Sequence, residues 1–145
     1  MTEIKKTPLL IENAAKLHGH LGPFLVIGVR MGELAKRHLK VDDKSSRRLE
    51  VSIITPLCTP FSCVIDGIQV STSCTVGNQK LKIKNSTKQI TAHFRLQDSK
   101  KTIRISVNPK MAETLISDMS KGADPEQLAT NVARMGEEQL FVLEK

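Results

Sequence analysis

With 145 residues, 16.1 kDa and 39% apolar side chains, the chain can bury a real hydrophobic core, which excludes a disordered polymer. Aromatics are only 3%, with no Trp or Tyr, so that core has to be aliphatic; no apolar run approaches the roughly 20 residues of a membrane span. The formal charge of +7 leaves an anionic partner open, and its uneven spread along the chain matters more than its size.

Thr7-Pro8 reads as an N-cap and first helical residue, with Leu9, Leu10, Asn13, Ala14 and Leu17 following at helical spacing. Gly19 and Gly22-Pro23 break this helix after His18, and Pro23 opens a second helix to about Leu39. On it Phe24, Ile27, Met31 and Leu34 form one apolar row beside Leu25, Gly28, Gly32 and Ala35, with Arg30, Glu33 and Arg37 opposite. The Gly28-x-x-x-Gly32 pair lets another backbone come close, at roughly 1 kcal/mol of helix propensity per glycine. After a polar turn over 41–48, Leu49, Val51 and Ile53 alternate with Glu50 and Ser52, a strand that ends at Thr55-Pro56. Thr59-Pro60 resembles a second N-cap, opening a helix through Cys63 to about Ser71. Strands are expected over 81–84, 89–96 and 102–107, the last two joined by a hairpin turn at 98–101. Asn108-Pro109 opens a helix to about Lys121 that Gly122 can cap, and Asp124-Pro125 starts another, with Gln127 at the capping-box position. The expected fold class is α+β: a mainly antiparallel sheet of sequence-local strands packed against helices, as a single domain over 1–145.

Charge is segregated along the chain. Between Lys80 and Arg104 eight Lys or Arg stand against Asp98 alone, whereas after Met111 seven acids face three basic residues. The basic strands invite an anion or nucleic acid, but single-strand binders stack bases on aromatic side chains, and here only Phe94 lies in the region. A solvated sheet face is the simpler reading, and nucleic acid is not expected. The N-terminal segment lacks the apolar stretch of a signal peptide. Three cysteines are an odd count for a disulfide framework. Both features read as cytoplasmic.

The reactive side chains gather in two clusters. One is His18-Gly-His20-Leu-Gly-Pro23; the other runs from Cys58 through Cys63-Val-Ile-Asp66-Gly-Ile-Gln69 to Ser73-Cys74-Thr75-Val-Gly77-Asn78. In extended backbone, side chains two apart project to the same side, so His18 and His20 can reach one ion. A continued helix would splay them by about 200°. Cys63 falls at about the fourth residue of the helix opened by Pro60, where the helix N-terminus is expected to lower a thiol pKa. Asp66, one turn on, is placed to hydrogen-bond a ligand histidine or to carry a proton, and Gln69 follows a turn later. Cys74 lies eleven residues beyond Cys63 and reaches the same site only if the chain turns back. Cys58 reads as a small buried hydrophobe, and His38 and His93 as structural.

Together with Gly28-x-Arg30-Met-Gly32, these motifs resemble the FmdE family of formylmethanofuran dehydrogenase proteins over roughly residues 10–110. The resemblance implies an α+β core domain, commonly a homodimer, with a metal site formed by His18, His20 and Cys63. It also implies an anaerobic or archaeal prokaryotic origin and a link to the molybdenum or tungsten enzyme of one-carbon metabolism, whose complex is the implied partner. Many members carry Cys where this chain has Gly22, and many continue into a C-terminal zinc module with paired cysteines. No Cys follows Cys74 here, so the core domain without that module is expected.

The leading reading is therefore a domain binding a divalent metal, zinc by preference, on His18, His20 and Cys63. Cys63 and Asp66 are then the candidate catalytic groups, with Gln69 and Cys74 as neighbours contacting cofactor or substrate; no reaction is specified. The alternatives are a thiol-based redox protein using Cys58, Cys63 and Cys74, or a non-catalytic partner protein working through the basic strands.

Overall fold

The computed structural model describes residues 2–42 and 44–144, with side chains from residue 7 onward. The elements run α1 (Thr2–His18), α2 (Pro23–His38), a 3-10 turn (Ser46–Arg48), β1 (Leu49–Thr55), α3 (Cys63–Thr72), β2 (Leu81–Asn85), β3 (Thr91–Leu96), β4 (Thr102–Val107), α4 (Pro109–Ser120), α5 (Pro125–Arg134), α6 (Glu137–Leu140) and β5 (Phe141–Glu144). Five strands form one sheet in the order β2-β1-β3-β4-β5. Period-two alternation makes it one-sided: Leu49, Val51 and Ile53 of β1, Ala92 and Phe94 of β3, and Ile103 and Ile105 of β4 are all buried. Ser52, His93 and Arg104, on the other face, are exposed. The fold is α+β, as expected, and the core is aliphatic apart from Phe24, Phe94 and Phe141.

The sheet is antiparallel except where β1 meets β2. Those two strands run parallel because α3 carries the chain back between them, a βαβ crossover. α3 lies against α2, and glycines set the distance between their axes. A Cβ at Gly28 would land on the carbonyl of Val64, one at Gly67 on the carbonyl of Leu25, and one at Gly32 on the Ser71 hydroxyl. The close approach read from Gly28 and Gly32 is therefore a two-sided contact to which α3 contributes Gly67. α2 itself is nearly enclosed, with Leu25, Ile27, Val29 and Met31 all at or below 1% exposure.

Several expectations need correction. Thr7-Pro8 does not begin α1, which runs from Thr2 with Pro8 inside it; the Thr7 hydroxyl instead donates to Glu33 at 3.0 Å. The Thr59-Pro60 bond is cis and precedes a turn, so α3 begins at Cys63. β3 starts at Thr91 rather than Gln89, where Ser86 Oγ already holds the Gln89 carbonyl at 2.6 Å. Gln127 closes no capping box; its amide donates to Asn131, and Asp124 caps α5 alone by accepting from the Glu126 N–H. Neither α6 nor β5 was expected. The polar turn over 41–48 is present apart from Asp43, which lies outside the described residues, and the Ser45 N–H donates to Asp42 at 2.8 Å. Arg30, expected on the open face of α2, is half-buried and donates to the carbonyls of Val132 and Met135 at the C-terminal end of α5. Val132 O also takes the capping Met135 N–H, so Arg30 adds a second donor there and closes off the Met135 carbonyl just past the helix end. Burial lowers the guanidinium pKa from its usual range.

Candidate functional site

The first cluster forms where α1 stops. Gly19 takes φ +102°, a left-handed conformation that side chains resist, and its N–H closes the last turn on Ala15 O at 2.8 Å. The chain then extends through Gly22 (φ −146°, ψ 168°) until Pro23 opens α2. This glycine break keeps the two imidazoles together: the His18 and His20 rings lie edge to face with centroids 4.7 Å apart. A side chain begun at Gly22 would start 3.9 Å from His20 Cε1, so this position also borders the site.

α3 packs against α1 and brings Asp66, in its first turn, to His18. The Asp66 Oδ2 to His18 Nδ1 distance is 2.7 Å, with 15% of the His18 side chain and 33% of the Asp66 side chain exposed. A carboxylate can only accept, so in the neutral ring this bond assigns the proton to Nδ1 and leaves Nε2 with its lone pair. Behind it, the Gln69 amide donates to Asp66 Oδ1 at 3.3 Å. Gln69, Asp66 and His18 thus form one hydrogen-bonded line across two helices, joining the two sequence clusters.

Cys63 is the first residue of α3, not its fourth, and is 7% exposed. The expectation of a lowered thiol pKa is overturned: burial pushes it up, and the charge of Asp66 adds to the rise. A helix N-terminus offers about half a positive charge, less than desolvation and a nearby carboxylate take away. Cys74 lies past the far end of α3, after Ser73 ends the helix at φ +62°. Its thiol is buried, donates to Leu49 O at 3.2 Å, and has its pKa raised mainly by that burial. Cys63 opens the ten-residue helix and Cys74 lies two residues past its end, a helical rise of about 14 Å between them, so Cys63 and Cys74 form no direct disulfide and Cys74 does not join the histidines. Cys58 is exposed rather than buried.

Among the described residues no group of three His, Cys, Asp or Glu side chains is arranged to hold an ion. The donor chemistry nonetheless fits one. Two adjacent imidazoles suit a borderline divalent metal, and an imidazole whose Nδ1–H is held by a carboxylate is how metal-binding histidines are oriented. His18 and His20 supply two donors, and Cys63, one turn before Asp66 on α3, is the third candidate. No helix among the described residues is long and apolar enough to cross a membrane.

An α+β domain with a His-x-His loop set against a Cys-x-x-Asp helix defines the class of this protein. The chain belongs to the FmdE family: the family's sequence profile, described as "FmdE, Molybdenum formylmethanofuran dehydrogenase operon", matches residues 17–142. The chain is also 34% identical over 119 residues to a protein of Archaeoglobus fulgidus described as a probable S-adenosyl-L-methionine-binding protein. That match covers 82% of this chain and 31% of the relative, so the chain spans about a third of the relative's length.

Proposed function

We propose that this FmdE domain holds one divalent ion, zinc by the chemistry of its donors, on His18, His20 and Cys63, with Asp66 and Gln69 orienting His18. The observation that carries the reading is the Asp66–His18 hydrogen bond of 2.7 Å, which leaves Nε2 as the free donor atom of a ring already fixed in place. Cys63 supplies the third donor on binding. Its raised pKa favours the protonated thiol in the free protein, so loading releases a proton and strengthens as pH rises. When bound, such an ion supplies Lewis acidity. The chain's own residues do the rest: Asp66 keeps the proton on Nδ1, Gln69 holds Asp66, and burial limits water at the Cys63 sulfur.

Family membership supports a wider setting. In it the domain works in the cytoplasm of an anaerobic or archaeal prokaryote as a homodimer, beside the molybdenum or tungsten enzyme of one-carbon metabolism. Elemental analysis of the purified protein, followed by zinc titration, tests the site. One ion per chain is expected, lost in both His18→Ala and Cys63→Ser; unchanged stoichiometry in both variants overturns the reading. S-adenosylmethionine, the ligand in the relative's name, is the comparison ligand in the same titration.

A further inference from the structure

The helices cover one face of the sheet and leave the other open, and strand register decides what that open face presents. Ser52 of β1 stands opposite Lys82 on one side and His93 on the other, and His93 stands opposite Arg104. A row across four strands thus reads Lys82, Ser52, His93, Arg104, all four exposed. The row carries two cations and an imidazole on the open face of the sheet, with Glu144 closing it beyond Arg104.

The acids nearby do not neutralise it. Glu50 is taken by Arg95, whose Nε donates to it at 2.7 Å, and by the Gln97 amide at 2.9 Å. Glu144 stands opposite Arg104 in register, yet among the described residues the ion pairs include neither it nor Lys82, His93 or Arg104. The surface here is concave. A groove of about 300 Å³ is lined by Ser52, Lys80, Lys82, His93 and Arg95 together with Glu50, and a second hollow of about 450 Å³ is lined by Arg47, Cys74 and Asn78 with Lys80. Lys80, whose Nζ donates to Gln97 at 3.2 Å, is common to both.

We infer that this groove binds a small molecule carrying a phosphate or pyrophosphate group. The anion sits among Lys80, Lys82 and His93, and the remainder of the ligand passes Lys80 toward Arg47. The volumes are those of small-ligand sites. Charge complementarity selects the anion, because Lys80, Lys82 and His93 all line the groove and the local carboxylate is already paired. A single-stranded nucleic acid is the poorer fit: strand binders stack bases on aromatic rings, and Phe94 points into the core at 0% exposure. The site is independent of the metal reading, since Val51 and Ile53 put the covered face of the sheet between the groove and His18.

Calorimetric titration with pyrophosphate at low ionic strength tests the inference, using chelator-treated His18→Ala protein so that no bound metal contributes. Saturable one-to-one binding is expected, at least tenfold weaker in Lys82→Ala and in His93→Ala and unchanged in Lys88→Ala. Both substituted side chains are exposed, and circular dichroism confirms that the variants fold. Absence of saturation at millimolar pyrophosphate, or equal affinity in all variants, overturns it. So does tighter binding of a mixed-sequence DNA oligomer dependent on the same residues, which would make the face a polyanion surface.

Discussion

The Asp66 carboxylate lies 2.7 Å from His18 Nδ1 and one helical turn from Cys63, so its charge acts on both groups. Replacing it by Asn keeps the shape and one acceptor oxygen, and removes the charge together with one of the two acceptors that now serve His18 and Gln69. For His18 the outer support weakens, and zinc affinity should fall about 10- to 100-fold in a competition titration. For Cys63 the sign is opposite: burial still holds the thiol pKa up, but the contribution of Asp66 is gone, so the midpoint moves down. Alkylation rate against pH, in a Cys58→Ser background with Cys74 shielded at 1% exposure, reads this directly. A midpoint that does not move shows that the carboxylate does not act on the sulfur. The partnership of Asp66 with a site histidine was legible in the sequence because Cys-x-x-Asp spacing puts both on one helix face. The thiol's pKa was not, because it is set by burial, which the local sequence does not record.

Between elements, α3 packs against α1, where Asp66 meets His18, and through its glycine most closely against α2. Gly67→Ala would place a methyl on the Leu25 carbonyl and close to the Val29 nitrogen, main-chain atoms inside a buried helix that have nowhere to go. A loss of about 3 kcal/mol is expected, at the upper end of overpacking costs, read as a lower urea midpoint. Gly77→Ala is the control, since its Cβ would meet only Thr75 Oγ1 at 3.8 Å, and it should be close to neutral. Equal midpoints for the two variants would mean that the helices separate freely. Gly28 and Gly32 announced this contact through their four-residue spacing, but the partner glycine on α3 carries no such signal. The same limit applies to the strands. Alternation marked β1 and β2 without saying that they run parallel, because a period of two is the same in either direction. β5 is only four residues long and exists through its pairing with β4, from Arg104–Glu144 to Val107–Phe141. Thr59-Pro60 has the letters of a helix start, yet its cis bond sits ahead of the helix rather than in it.

At the scale of the whole molecule, the formal charge of +7 grows as carboxylates protonate, so acid adds repulsion to whatever specific bonds it breaks. Glu50 is where the two effects meet. It sits on β1, and the Gln97 amide first and Arg95 second hold its pKa below the usual carboxylate range. Through them it ties β1 to β3, while Lys80 just before β2 joins the same group through Gln97. A carboxyl whose folded pKa is depressed stabilises the native state above its ordinary pKa of about 4.3, and that contribution disappears as pH falls through the folded value. The Arg95 side chain is 58% exposed, which keeps the contribution near 0.5–1 kcal/mol after solvent screening. Glu50→Gln should therefore unfold at lower urea than the natural sequence near pH 7, and the gap should close in acid as pH falls through the lowered folded pKa of Glu50. A gap of the same size in both conditions would assign the effect to packing of the side chain and not to its charge. The basic face would then rest on the sheet's hydrogen bonds alone, with Arg95 contributing to its positive potential without a carboxylate to hold it.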